Sequence, residues 1–372
     1  ESLKRNLMKI GIITFHWAAN YGAVLQAYAL SSYLKSKGCA VEIINYRPRW
    51  AKDVKPIPFS FHIKSCITYL DELYKRKVFD KFRKRYLPVS EKEYVNISDL
   101  SLLDGCYDII ITGSDQVFNP DIIASEGKLD TAFLLNFTMQ KGKKFAYAAS
   151  FGNSFLADEY DNIYKDKLQD FTAIGIREKS GLTVLKQLGL VGKWTPDPTL
   201  LLDAYDNIDI PKSNGKNYIF GLLFQVTPES SDCIRQLGQY YTNTEVLRLV
   251  TLKDRIRGIK GIWHPSPEKW VSIIKNARFV VTDSFHCTVF CILTHRPFIS
   301  LALNAWGTDW SERIKSLLER VGLNDRFVAS YNREDIGRII KTEIDWKKVD
   351  EKVAEWKMEG QSFLEIYCNE AY

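Results

Sequence analysis

The segment Thr282-Asp283-Ser284-Phe285-His286-Cys287-Thr288 puts a titratable ring where the chain turns from strand to helix. A β-branched run, Arg278 to Val281, precedes it, and an apolar helical run, Val289 to Leu293, follows. Backbone N–H groups at a helix start point outward and favour an anion. An imidazole there, with an ordinary pKa of about 6.5, can carry a proton in either direction at neutral pH. Anion binding beside a proton carrier suits group transfer. His286 is the candidate general acid and base. Ser284, Phe285 and Thr288 are candidate anion binders, through hydroxyls and the N–H groups of the helix start.

Other polar clusters follow apolar runs in the first half. Gly113-Ser114-Asp115-Gln116 follows Tyr107 to Thr112, Ser150-Phe151-Gly152 follows Lys144 to Ala149, and Arg177-Glu178 closes Ala173 to Arg177. The planar guanidinium of Arg177 matches a carboxylate or a phosphate. Its plainer role is an ion pair with Glu178 or a neighbouring acid. Asp115 can take a hydroxyl proton or orient a sugar, although Gly113 to Gln116 also reads as a simple turn. Asn20-Tyr21-Gly22 reads as a loop entering a helix, with Asn20 as its cap. His16 borders that turn and is balanced between site and scaffold. His264, His62 and His295 read as structural, packing or surface residues, and Asp197-Pro198 as a structural turn.

The elements that position these residues alternate. Lys9 to Thr14 is a strand, and a helix from Gly22 carries Ala23, Ala27, Leu30 and Leu34 on one stripe. Gly38 caps that helix, and Val41 to Asn45 is the next strand. Strand, helix, strand implies a parallel sheet. Pro48, Pro56 and Pro58 interrupt the pattern, and a helix bearing Tyr74, Val78, Phe82 and Tyr86 follows. Between Lys75 and Arg85 lie seven basic residues and one acid. This run is a solvated face or, more sharply, a contact with an anionic membrane. The second half reads as strand Asn217 to Phe224, helix Asp232 to Tyr241, strand Glu245 to Val250 and a helix opened by Ser266-Pro267. The segment around His286 and the strand Pro297 to Leu301 follow. A tail, Asp345 to Tyr372, is helical, with Trp346, Trp356 and Phe363 as anchors.

The expected fold class is α/β, with two Rossmann-like domains facing a cleft and a C-terminal helical tail. The expected domains are residues 8–203, with a basic helical insertion at about 50–90, then 216–340, then the tail 345–372. Residues 1–7 read as an extension ahead of the first strand. The 372 residues are 45% hydrophobic and 26% charged, with net charge +6, which suits a globular protein with an anionic partner and does not call for nucleic acid. The seven cysteines lack metal-ligand spacing and read as free thiols in a reducing, cytoplasmic setting. No metal ligand cluster and no membrane-spanning run is apparent.

Six pieces together resemble the polysaccharide pyruvyl transferase family. They are Asn20 to Gln26, Gly113 to Gln116, Ser150 to Gly152, Arg177-Glu178, Asp197 to Leu200 and Asp283 to His286, in family order. The resemblance implies a GT-B-like fold. It implies phosphoenolpyruvate as co-substrate, with no other cofactor, and a sugar hydroxyl pair as acceptor, in a soluble, nucleotide-linked or lipid-linked precursor of a surface glycan. It assigns the donor to Arg177, Ser284, Phe285 and Thr288, and the acceptor to Asn20, Tyr21, Gly22, Gln26, Ser114, Gln116 and Ser150. Catalysis falls to His286, Arg177 and Asp115, at the inner face of the membrane if the basic helix docks there. Ser284 stands where better-known members carry arginine, so Arg177 or another cation must hold more of the donor charge. The rival readings are a GT-B glycosyltransferase using a nucleotide sugar and a non-catalytic partner in glycan assembly.

Overall fold

The computed structural model describes residues 7–51, 63–125, 127–140, 143–212, 215, 217–305 and 308–369. Residues 1–6, Pro56, Pro58 and His62 lie outside the described residues. The chain divides into two compact units. One holds residues 1–53, 83–203 and 355–372; the other holds 54–82 and 204–354.

The first unit starts with β1 (Lys9–Ile13), α1 (Tyr21–Ser36) and β2 (Ala40–Ile43). Helix α2 (Ile63–Tyr86), most of which belongs to the second unit, follows in the chain, and the first unit resumes with β3 (Ile109–Asp115), β4 (Lys144–Ala149), α3 (Asp158–Leu168), β5 (Ala173–Ile176), α4 (Lys179–Gln187) and β6 (Lys193–Trp194). The sheet order is β2-β1-β3-β4-β5-β6, and every pairing is parallel. The order reverses between β1 and β3, the place where open α/β sheets bind ligands at their carboxyl ends. All six residues of β4 are buried, as expected of a strand covered on both faces. Helix α1 is buried nearly all round, from Gly22 to Ser31 and at Tyr33 and Leu34, rather than along one stripe. The sheet covers one side, and Tyr33 Oη donates to Glu365 of the C-terminal helix at 2.9 Å.

The second unit runs β7 (Tyr218–Leu222), α5 (Pro228–Tyr240), β8 (Glu245–Val250), α6 (Leu252–Ile256), β9 (Ile262–Trp263), α7 (Pro267–Asn276), β10 (Phe279–Thr282) and α8 (Phe285–Leu293). It continues with β11 (Phe298–Leu301), α9 (Glu312–Val321), β12 (Phe327–Val328) and α10 (Arg333–Lys341), and α11 (Trp346–Asn369) ends the chain. The sheet order is β9-β8-β7-β10-β11-β12, again parallel, with its reversal between β7 and β10. Both units are therefore Rossmann-like. Helix α5 begins earlier than expected because Thr227 and Ser230 close a capping box around Pro228.

Two segments depart from the expected domains. The described residues 63–82 group with the second unit, whereas the sequence reading keeps the basic helix in the first. The cause is specific pairing: Asp71 accepts from Trp263 Nε1 at 2.6 Å and from the Leu252 N–H at 2.8 Å. The tail is not a separate body. Its Trp346 stacks on His295 in the second unit, whereas Trp356 packs on Trp194 and Phe363 on Tyr147 in the first.

Candidate functional site

In the first unit, the reversal between β1 and β3 is bridged by side chains. Thr14 Oγ1 donates to the Ser114 carbonyl at 2.8 Å. Gln26 Nε2 donates to Thr14 Oγ1 and to the Ala23 carbonyl, both at 2.9 Å, and its Oε1 accepts from the Ser114 N–H at 3.2 Å. Ser114 Oγ donates to the Ala148 carbonyl at 2.8 Å, and Ser150 Oγ accepts from the Gly152 N–H at 3.1 Å. Gln26, Ser114 and Ser150 are fully buried. The acceptor contacts expected of them do not fit this geometry, since their polar atoms already hold the strand ends together. Gly22 is likewise buried. Asn20 caps α1 by accepting from the Ala23 N–H at 3.2 Å and is exposed, whereas Tyr21, Asp115 and Gln116 are half-buried. These four form the accessible polar rim at the carboxyl ends of β1 and β3.

Arg177 lies deeper than the sequence reading places it. Its side chain is fully buried, with Nη1 2.9 Å from Asp197 Oδ2 and Nη2 3.4 Å from Asp115 Oδ1. Burial opposes its charge, but Asp197, Asp115 and Glu178 outweigh that and hold its pKa above the usual value. Asp197 also accepts from the Thr199 N–H at 3.0 Å and from Thr199 Oγ1 at 2.6 Å, so this turn is an electrostatic anchor. Glu178 accepts from the Phe151 N–H at 2.7 Å. The guanidinium is thus engaged by two carboxylates of its own unit rather than held out as the open fork the donor reading expects. His16 is scaffold: it sits between the Thr14 carbonyl and Asn45 Oδ1, and burial lowers its pKa to about 4.

In the second unit, Ser284 caps α8, its Oγ accepting from the Cys287 N–H at 3.4 Å. His286 occupies the first turn, with its ring 5.0 Å from that of Phe285. It is 8% exposed and Ser284 is 7% exposed. Thr288 is turned inward. Its Oγ1 donates to the Ser284 carbonyl at 3.0 Å and shares a 2.7 Å contact with Ser300 Oγ, so the expected donor contact from its hydroxyl does not fit. Asp283 has a task that its sequence position does not disclose. Its carboxylate accepts from the Phe224 N–H at 2.8 Å and the Gln225 N–H at 3.0 Å, which ties the end of β7 to the end of β10. Burial raises its pKa, partly offset by those N–H groups.

Arg313, which the sequence reading did not single out, stands beside this helix start. Its guanidinium carbon lies 5.9 Å from the centre of the Phe285 ring. The signal was present: Ile314, Leu317, Leu318 and Val321 are spaced as the buried stripe of a helix, and Arg313 precedes that stripe. A cavity of about 470 Å³ opens at the carboxyl ends of β7, β10, β11 and β12. Thr227, Glu229, Ser230, Asp283 and Tyr331 line it, and its lining includes two carboxylates and no basic residue. Among the described residues, no group of histidine, cysteine or acidic side chains is arranged to hold a metal ion, and no helix is long and apolar enough to cross a membrane.

Comparison with known proteins bears on the family and the fold. The family model described as polysaccharide pyruvyl transferase matches residues 20–304. No curated protein matches the chain. Among solved structures, S. aureus MnaA in a co-structure with UDP is 13% identical, over 94% of this chain and 91% of its own, with a TM-score of 0.53. A glycosyltransferase from Rickettsia africae ESF-5 is 13% identical, over 97% of this chain and 98% of its own, with a TM-score of 0.50. At this identity the likeness is one of fold, which is GT-B-like. The chain belongs to the polysaccharide pyruvyl transferase family.

Proposed function

We propose that this member of the polysaccharide pyruvyl transferase family moves pyruvate from phosphoenolpyruvate to a pair of sugar hydroxyls on a glycan precursor, forming a ketal. The observation that carries the reading is His286 in the first turn of α8, at a helix start capped by Ser284, with the Arg313 guanidinium 5.9 Å from the ring centre of the neighbouring Phe285. The helix start offers N–H groups and the positive end of its dipole to a carboxylate or phosphate. Arg313 supplies the cation that Ser284 does not.

The chemistry asks for a proton on the methylene carbon of the donor, which places oxocarbenium character on C2. A sugar hydroxyl then adds to C2 and loses its proton. Phosphate leaves, and the second hydroxyl closes the ring and gives up the other proton. One hydroxyl proton in effect replaces that taken by the methyl group, and the second departs with phosphate. We assign His286 as the acid that protonates carbon and the base that is afterwards restored. The accessible rim of the first unit, Asn20, Tyr21, Asp115 and Gln116, is assigned to the acceptor.

Transfer from a nucleotide sugar is the second reading, prompted by the cavity at the reversal between β7 and β10, where such folds hold nucleotides. The lining of that cavity holds no basic residue to meet a diphosphate, whereas Arg313 stands by the start of α8, and this contrast favours the pyruvyl reading. A non-catalytic role in glycan assembly predicts no turnover and indifference to His286. The test is phosphate release from phosphoenolpyruvate across a panel of glycan precursors. Wild type should release phosphate, and His286→Ala should be slower by about 10²–10⁴-fold. Near-normal turnover by His286→Ala would remove the mechanism.

A further inference from the structure

Two segments far apart in the chain meet at Trp263 in the second unit. The Tyr74 ring of α2 stacks on Trp263, with centroids 3.9 Å apart and planes 10° apart. The Arg255 guanidinium, from α6, lies 5.1 Å over the same indole. Asp71 fastens the junction, accepting from Trp263 Nε1 and the Leu252 N–H and pairing with His264 Nε2 at 3.0 Å. These contacts hold the two helices together and leave further side chains of both turned out to water on their outer faces.

Those outer faces are apolar and basic together. Leu70 is 55% exposed, Leu73 41% and Ile256 61%. Residues 248–260 carry five basic side chains and one acid. That acid, Asp254, is engaged in capping Thr251. On α2, Lys77 and Lys81 are exposed, and Glu72 is paired with Arg76 at 3.3 Å. Exposed leucine and isoleucine gain nothing from water, and they gain nothing from a nucleic acid backbone, which rewards only the cations. An anionic bilayer rewards both. Its acyl boundary takes the apolar side chains, and its headgroups take the lysines and arginines.

We propose that this face, built from α2 and the α6 turn, docks the protein on an anionic lipid surface. The sequence shows only the basic run on α2; its partner on the α6 turn and the clasp at Asp71 are structural. The inference is independent of transfer chemistry, and its test does not read activity.

The experiment is co-sedimentation of the full chain with phosphatidylcholine vesicles, with and without phosphatidylglycerol. Wild type should bind only the anionic vesicles. Arg257→Ala with Lys260→Ala should weaken binding by about 30-fold, at roughly fivefold per basic residue. Leu70→Ser with Leu73→Ser leaves the charge unchanged and should weaken it by about tenfold or more. Unchanged melting temperatures would show that both variants fold, as expected for exposed positions. Absence of binding to anionic vesicles would overturn the proposal. So would a leucine variant that binds as well as wild type, or equal affinity for duplex DNA that is indifferent to the leucines.

Discussion

Replacing Arg177 with methionine removes a buried cation from between two carboxylates. Asp197 is as fully buried as the guanidinium, whereas Asp115 is 14% exposed and can recover water. Removing one partner of a buried pair costs about 3–5 kcal/mol, because the other charge stays uncompensated. Asp197 keeps its two bonds from Thr199, which places the expected loss near the lower end, about 3 kcal/mol. For a unit of this size, that lowers the melting temperature by roughly 6–12 °C. Scanning calorimetry of Arg177→Met measures it directly. Adding Asp197→Asn should return at least about 1 kcal/mol, since it neutralises the orphaned charge. If Arg177→Met melts within about 1 °C of wild type, the ion network is not structural and the guanidinium belongs to a ligand after all.

Two further outcomes follow from the same geometry. His16 has a folded pKa of about 4, below its ordinary 6.5, so the unfolded chain binds the extra proton between those values. Stability should therefore fall as pH drops through that window, by up to about 3 kcal/mol, and His16→Gln should flatten this limb in circular-dichroism titrations. Asp283→Ala should destabilise the second unit by about 1–2 kcal/mol, because it removes charge-assisted bonds to the Phe224 and Gln225 N–H groups that water replaces only in part, and hydrogen exchange at those amides should rise.

Much of the fold was legible because parallel strands covered on both faces read as continuous apolar runs. Phe279–Thr282 is such a run, and the polar residues after it open a helix. The two-residue strands Lys193–Trp194 and Phe327–Val328 are too short to show any pattern. Side-chain direction was not legible. Gln26, Ser114, Ser150 and Thr288 are residue types that bind sugars and anions, yet each points inward and satisfies backbone or neighbouring hydroxyl groups. The pairing of Arg177 with Asp197 also escaped, because nothing in either local pattern announces a partner on the next strand connection. The capping role of Asn20 was visible, since it depends only on the residue and the helix that follows.

The most direct measurement is calorimetric titration of phosphoenolpyruvate into wild type, Arg313→Ala and His286→Ala. The account predicts one saturable site in wild type, weakened by at least about tenfold in Arg313→Ala, since a charge-assisted contact of about 1.5–3 kcal/mol is lost. His286→Ala should retain binding while losing turnover. Binding of a nucleotide sugar with no heat from phosphoenolpyruvate, or phosphoenolpyruvate binding untouched by Arg313→Ala, would contradict it.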